Sequence, residues 1–343
     1  MKASDVVPRL HEAGLLEAEA LLEPLGGGVS SYVWRVDGRY RRDTTDRGAG
    51  DLVIKSPRQE LDVAWTWTAD VSRCRAEYEA LRTMHQLTPA HVPQVVGFLD
   101  GEEPLLVMTA APSSWSTWKT DLLALDPSAP PRWDHHEDVA RGLGQVLAVW
   151  HSRTTDPQSL PAPLTTGTRL RDLRTDPFHR AAAAEVPPWA AALDDLADEL
   201  LATRSCLVHG DVTPKNILVA ADPVGRVPFW VLDAEVAQLG PPVLDLAMPT
   251  AQLVLKAVRR PSLGPGFARA ASSFLDAYGG AAPAGIPARL AQHVGGILAG
   301  RVAGKSRVDY LDAAQQHDVH RIVDQLLAGA ALDEVWPTAE ALA

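Results

Sequence analysis

The chain has 343 residues, 46% apolar and 22% charged, with 32 Lys and Arg against 43 Asp and Glu, a formal net charge of −11. These proportions exclude general disorder and suit one large domain or two lobes. The acidic balance disfavours a nucleic-acid surface, which needs a basic footprint, and suits a neutral or cationic small substrate. In chain order, residues 11–23 read as a short amphipathic helix, broken by Pro24 and the glycines at 26–28. Residues 32–36 read as a strand, Asp37-Gly38 as a hairpin turn, 39–50 as a charged hairpin or loop, and 51–55 as the next strand. A helix is predicted over 70–87, with Val71, Cys74, Tyr78, Leu81 and Met84 on one face, and two more strands over 95–98 and 104–108.

Residues 110–114 then connect to a larger half. There helices are predicted over 114–125, 137–152, 188–204, 244–258, 265–278, 286–300 and 309–328. Residues 154–188, rich in Pro, Thr and Arg, read as a surface loop. A compact β patch is expected at 207–208, 217–220 and 229–232, with a turn at 222–225. The pattern is α+β: a small β-rich lobe over 1–110 and a large, mainly helical lobe over 111–343. Cys74 and Cys206 stand apart from each other and from any His/Cys cluster, so neither disulfides nor zinc are expected, and a reducing, cytoplasmic setting is. Residues 1–10 lack an apolar core, and no stretch approaches the ~18 apolar residues of a membrane span, so no secretory signal and no membrane partner are expected.

The chemistry concentrates in His209-Gly210-Asp211-Val212-Thr213-Pro214-Lys215-Asn216. An Asp ends an apolar strand, an Asn follows in the same loop, and a second acid, Asp233, ends a later strand. Phosphoryl transfer needs one carboxylate to orient the attacking hydroxyl and accept its proton. It also needs an amide oxygen and a second carboxylate to hold Mg²⁺ against nucleotide phosphates.

These residues resemble the aminoglycoside phosphotransferase-like branch of the protein-kinase-like superfamily. HGDVTPKN is similar to its HGDxxxxN loop, Val231-Leu232-Asp233-Ala234-Glu235 to its DxE segment, and residues 237–247 to its GDPxxDLA segment. The resemblance implies a bilobal kinase-like fold, ATP or GTP, Mg²⁺ and a small hydroxyl-bearing substrate. It implies Asp211 as catalytic base or substrate-orienting carboxylate, His209 as a brace for the loop, Asn216 and Asp233 as metal ligands, and Asp245 as an anchor for the loop's backbone. Glu235 would assist a metal or bind a cationic substrate. The first lobe would clamp the nucleotide through Gly26, Gly27, Gly28, Ser30 and Ser31, with Ser31 in the third glycine place of a GxGxxGxV loop. Lys55 would reach the α- and β-phosphates. Glu77, about 50° from the centre of the apolar face of its helix, is its expected partner rather than Glu79. Met108 to Ala110, with Ala111, would offer backbone groups to the base.

Three departures bear on function. Thr213 stands where protein kinases carry Lys, and Ala-Glu follows Asp233 in place of Phe-Gly; both point away from protein substrates. Gly240-Pro241-Pro242 replaces Gly-Asp-Pro. Gly304-Lys305-Ser306 ends like a P-loop, but Ala299 holds the required glycine's place and the preceding residues are helical. Residues 301–310 are weighed as a wall of the acceptor site against a plain helix end. His135-His136 read as a helix start rather than a metal site. Trp115, Trp118, Trp133 and Trp150 read as core or as an aromatic acceptor cage, and Asp194, Asp195, Asp198 and Glu199 as a solvated face. The reading is therefore a Mg²⁺-dependent kinase of a small hydroxyl compound: an antibiotic, a sugar or an amino alcohol. A nucleotide-binding pseudokinase and a protein kinase are the rivals. Oligomeric state leaves no signature.

Overall fold

The computed structural model describes residues 3–16, 20–26, 30–36, 39–43, 46–49, 51–58, 70–125, 132–221 and 225–337. Helix α1 (Ala3–Glu12) buries Val6 and Leu10. It ends where Gly14 takes a φ of +71°, and the Leu15 amide donates back to the Leu10 carbonyl at 2.8 Å, a C-terminal cap that suits glycine. The helix expected over 11–23 therefore lies earlier, and Leu22–Pro24 is strand β1.

Strands β2 (Ser31–Val36), β3 (Arg39–Asp43), β4 (Asp46–Ala49) and β5 (Leu52–Pro57) follow. Then come α2 (Arg73–Leu87), β6 (Val95–Leu99) and β7 (Leu105–Thr109). Strands β3 and β4 pair as a hairpin; the others form an antiparallel sheet ordered β1-β2-β5-β7-β6. Side chains alternate across it. Leu52, Ile54, Leu105 and Val107 pack under α1, whereas Leu106 and Met108 join Cys74, Ala80, Leu81 and Met84 of α2 on the other face. Lys55 pairs with Val33 on one side and Leu106 on the other, so it lies on an interior strand of this sheet and not on an edge.

Strand β8 (Trp115–Thr117) precedes α3 (Trp118–Ala124), whose first turn is capped by the Thr117 hydroxyl. The helix expected from 114 thus starts later, because 115–117 pair as a strand with residues 218–220. Helix α4 (Trp133–Arg153) leads into the segment expected as a loop over 154–188, which is helical in large part. It holds α5 (Ala162–Thr165), a π-wound stretch Arg171–Arg180 and α6 (Ala181–Glu185). Pro177 sits inside the wide winding, where Leu173, Arg174, Phe178 and His179 are buried. A proline mid-helix removes a donor and misleads a pattern reading.

Helix α7 (Ala190–Ala202) is followed by β9 (Cys206–Val208), β10 (Ile217–Ala220), β11 (Phe229–Val231) and β12 (Gln238–Gly240). Residues 222–224 of the expected turn lie outside the described residues, as does the Asp37-Gly38 turn. Strands β11-β10-β8 form one small sheet and β12-β9 pair as another. Helices α8 (Pro242–Arg259), α9 (Gly264–Ala281), α10 (Leu290–Val302) and α11 (Ala313–Leu327) complete it. All residues of α8 from Val243 to Val258 are buried, making it the axis of this half. Among the described residues no helix is long and apolar enough to cross a membrane. Cys74 and Cys206 are free and buried.

Candidate active site

Strand β9 ends in a tight turn at His209-Gly210-Asp211. Gly210 adopts φ +76°, and a Cβ there would stand 2.7 Å from Val236 Cγ1, so a larger residue meets both strain and a clash. The turn is pinned from α8. Asp245, fully buried, accepts from the His209 and Gly210 amides, each at 2.7 Å. His151 Nε2 donates to the same carboxylate at 3.1 Å, which leaves Nδ1 to accept from the Tyr278 hydroxyl at 3.0 Å. A carboxylate meeting backbone amides makes charge-assisted bonds. Asp245→Ala is expected to cost roughly 3–5 kcal/mol of stability, measured by urea unfolding, because two buried amides and His151 lose their acceptor together.

The His209 ring is held at both nitrogens. Nε2 lies 3.1 Å from the Leu232 carbonyl and donates to it; Nδ1 accepts the Asp211 amide at 3.2 Å. Burial pushes its pKa down despite the acids nearby, so the ring is a neutral strut between two loop segments.

Asp211 is buried and ringed by donors. Its Oδ1 lies 2.9 Å from Arg174 Nη2, and its Oδ2 meets Asn216 Nδ2 at 2.8 Å and Lys215 Nζ at 3.2 Å. Burial alone would raise its pKa; Arg174 and then Lys215 outweigh it and hold the carboxyl below its usual range. Because the Asn216 amide nitrogen is spent on Asp211 Oδ2 and on the Asp211 carbonyl (3.0 Å), its oxygen is left for another partner.

The Leu232 amide donates to the Asn216 carbonyl at 2.8 Å, which sets Asp233 beside Asn216. Asp233 is the one non-glycine residue with positive φ (+68°) among the described residues. Left-handed backbone off glycine is uncommon and concentrates at functional sites. Lys55 reaches Asp233 Oδ1 in a short ion pair and donates to Glu77 Oε1 at 2.8 Å. Burial lowers the Lys55 pKa, but Asp233 and then Glu77 outweigh it and keep the ammonium charged. Burial raises Asp233, which Lys55 and Lys215 reverse to a net depression. Glu77 rises to about 7, from burial first and against the pull of Lys55, a cation it shares with Asp233. Acidification below about pH 7 is expected to protonate Glu77 and release Lys55, so catalytic efficiency toward nucleotide falls on the acid side. Glu77→Gln should flatten that limb of the pH–rate profile.

Ser30 and Ser31 are buried at the entrance of β2 and Gly26 is exposed, while Gly27 and Gly28 lie outside the described residues. The Ser30 carbonyl accepts from the Arg58 amide (2.8 Å) and from Arg73 Nη2 (2.7 Å). Arg73 Nε in turn donates to Glu235 at 3.0 Å, so α2 ties the glycine-loop strand to the segment after Asp233. Glu235 thus faces an arginine of this chain. The backbone of Met108 belongs to β7, between β5 and β6. The Ala110 amide is spent on the Asp51 carbonyl at 2.9 Å, which leaves only its carbonyl for a base edge.

Sequence reasoning missed Arg174, Arg73 and Lys215. Arg174 was hidden in the supposed loop, although Leu170, Leu173, Arg174 and Phe178 keep helical spacing around Pro177. The other motifs resolve as structure. The amide of Lys305 bonds the Pro177 carbonyl (2.8 Å) beyond the end of α10, and no strand precedes it as a P-loop requires. His136 accepts from Trp118 Nε1 at 3.1 Å. Trp118 and Trp150 are buried, Trp150 stacking on His209, so the four tryptophans form no cage. Asp194, Asp195, Asp198 and Glu199 pair with Arg180 and Arg289 at the surface.

No group of three His, Cys, Asp or Glu gathers as a metal centre among the described residues. Asn216 Oδ1 and Asp233 would offer two oxygens, a set that fits Mg²⁺, which takes one or two protein oxygens and completes its shell with phosphates and water.

The sequence profile of the phosphotransferase enzyme family matches residues 22–286. No curated protein is a significant match. Among solved structures, the chain is similar to the streptomycin–ATP ternary complex of APH(2")-IIa at a TM-score of 0.50 and 13% identity, covering 96% of this chain and 97% of that one. It is also similar to the GDP and kanamycin complex of APH(2")-IIia at 0.51 and 13%, covering 93% and 99%. The macrolide 2'-phosphotransferase MphH from Brachybacterium faecium matches at 0.48 and 19%, covering 99% and 96%. The fold is therefore the bilobal, kinase-like α+β architecture.

Proposed function

As a chain that belongs to the phosphotransferase enzyme family, this protein is, we propose, a Mg²⁺-dependent kinase that moves the terminal phosphoryl group of ATP or GTP to a hydroxyl of a small molecule. The observation that carries this reading is the meeting of Lys55, Asp211, Asn216 and Asp233 at the junction of the sheet and the helical part. Asp211 orients the acceptor hydroxyl and takes its proton. Arg174 and Lys215 keep it ionised at neutral pH and present positive charge to the group in transfer. Lys55, positioned by Glu77, moves from Asp233 to the nucleotide phosphates, which frees Asp233 to act with Asn216 on the metal. A metal held by Asn216 and Asp233 would supply positive charge against the nucleotide phosphates. Catalysis is then mainly positioning and charge stabilisation.

Residues 1–110 serve as the nucleotide-clamping lobe and 111–343 as the lobe of the catalytic loop and acceptor. Nucleoside diphosphate release across antibiotics, sugars, nucleosides and amino alcohols tests the activity. Mg²⁺-dependent release stimulated by one acceptor is the expected outcome. Thermal stabilisation by Mg–ATP with no consumption against the whole set would instead make the protein a nucleotide-binding pseudokinase.

A further inference from the structure

A row of cations leads from Asp211 into the helical half. Arg174, paired with Asp211, lies 5.7 Å from the ring of Phe178, and Arg301 lies 5.9 Å from the same ring on α10. Arg301 is in electrostatic reach of both Asp211 and Tyr310. The Tyr310 ring has Lys119 at 5.7 Å, Lys256 at 5.8 Å and Arg259 at 5.7 Å. Lys119, Arg259, Tyr310, Asp309 and Asp312 line a pocket of 630 Å³. A neighbouring pocket of 350 Å³ shares Arg259, Tyr310 and Asp312 and adds Arg260. Helix α3, which carries Lys119, packs on the 214–216 turn of the catalytic loop.

Among the described residues the cations around Tyr310 are not matched by direct ion pairs. Among the described residues, no carboxylate lies within 4.0 Å of Lys119, Lys256, Arg259, Arg260 or Arg301. The wall holds two acids, Asp309 and Asp312, the latter also capping α11 by accepting the Gln315 amide at 2.9 Å. Lys256 is 1% exposed, and among the described residues its hydrogen bonds go to Gln252 alone, to the carbonyl at 3.2 Å and to Oε1 at 3.4 Å. Burial first, then Lys119 and Arg301, push its pKa down to about 7. Arg259 Nη1 donates to the Tyr310 carbonyl and Arg301 Nη1 to the Ser306 hydroxyl, but Tyr310 Oη, Arg301 Nε and Arg259 Nε are buried without a hydrogen-bond partner. Buried charges and donors left unpaired are costly, and a ligand that supplies counter-charge and acceptors relieves them together.

We infer that this pocket binds an anionic group, phosphate or carboxylate, of the acceptor whose hydroxyl Asp211 receives. The inference rests on the kinase reading and narrows its substrate class. The net charge of −11 pointed to neutral or cationic substrates, yet the local field beyond Asp211 is positive and repels a polycationic aminoglycoside. In the reaction the acceptor oxygen bonds the terminal phosphorus as its proton passes to Asp211. The phosphorus–bridging oxygen bond breaks, and the nucleoside diphosphate leaves.

Calorimetric titration without nucleotide reads the pocket directly. The probes are ribose 5-phosphate, glycerol 3-phosphate, glycerate and gluconate, each against its neutral polyol or sugar, with kanamycin and inorganic phosphate alongside. At least one phosphate or carboxylate compound is expected to bind about tenfold or more tightly than its neutral counterpart, more weakly as salt rises. The two arms show which anion is preferred. Lys119→Glu should abolish that preference, with a retained Mg–ATP thermal shift reporting an intact fold. The inference is overturned if no anion, inorganic phosphate included, outbinds its neutral counterpart, if kanamycin binds best, or if Lys119→Glu leaves the preference intact. Mg–ATP binding and turnover are read separately. A neutral or cationic acceptor that is phosphorylated leaves the kinase reading standing while this inference fails; anion binding without any nucleotide binding does the reverse.

Discussion

Asp211→Asn is expected to lower phosphoryl transfer by about 10³-fold while leaving the fold and Mg–nucleotide binding in place, as read by single-turnover kinetics beside calorimetry. A positioned general base contributes on the order of 10²–10⁴ in rate. The amide keeps the volume of the carboxylate and one acceptor oxygen, so Asn216 retains a partner. It carries no charge for Arg174, 2.9 Å away, or for Lys215, and it takes no proton. The kcat should fall with little change in nucleotide KM, because the role proposed for Asp211 is toward the acceptor hydroxyl and not the nucleotide. Turnover near the wild-type rate in a folded Asp211→Asn protein would remove the role assigned to this carboxylate.

Lys55→Met is expected to damage both stability and turnover. Lys55 is 7% exposed on an interior strand, between the carboxylates of Glu77 and Asp233. Taking one partner from a buried ion pair costs roughly 3–5 kcal/mol, since the remaining charge stays desolvated. The loss of a positive charge from the phosphates lowers turnover by a further 10²-fold or so. The stability loss carries a pH signature. Glu77 already titrates at about 7 against an ordinary 4.5, and without Lys55 it rises further. A carboxyl whose folded pKa is raised contributes stability fully present below its unfolded pKa, and that contribution is lost as pH climbs through the folded value. Urea unfolding at about pH 5 and about pH 8 should therefore show the variant losing more at the higher pH. An equal loss at both would mean that Glu77 is not the group left exposed to Lys55 removal.

The catalytic loop was legible because its residues are both adjacent in sequence and chemically unusual: His209, Gly210, Asp211 and Asn216 within one loop, with Asp233 just past the end of the next hairpin strand. Helical phase also placed Glu77 rather than Glu79 toward Lys55, where the structure shows it. What escaped was contact made across the fold. Arg174 approaches Asp211 from a π-wound segment whose Pro177 breaks the regular helical pattern. Arg73 joins Ser30 to Glu235 over a long sequence separation, and no local spacing encodes such a bridge. The acceptor pocket was illegible for a further reason. Lys119, Lys256, Arg259 and Arg301 come from three helices, and in a chain of net charge −11 only their convergence on Tyr310 reveals a local positive field. The first helix was misplaced because Gly14 caps a turn that the apolar pattern runs through.

The central claim is that Asn216 and Asp233 hold a divalent ion against a nucleotide that Lys55 also grips. Calorimetric titration of ATP with Mg²⁺ and with chelator, on the wild-type protein and on Asp233→Asn, tests it most directly. The account predicts that Mg²⁺ tightens wild-type binding by about tenfold or more, a typical coupling between linked ligands, and that Asp233→Asn loses this increment. Equal wild-type affinity with and without Mg²⁺, or an Asp233→Asn protein that keeps the full increment, would contradict it.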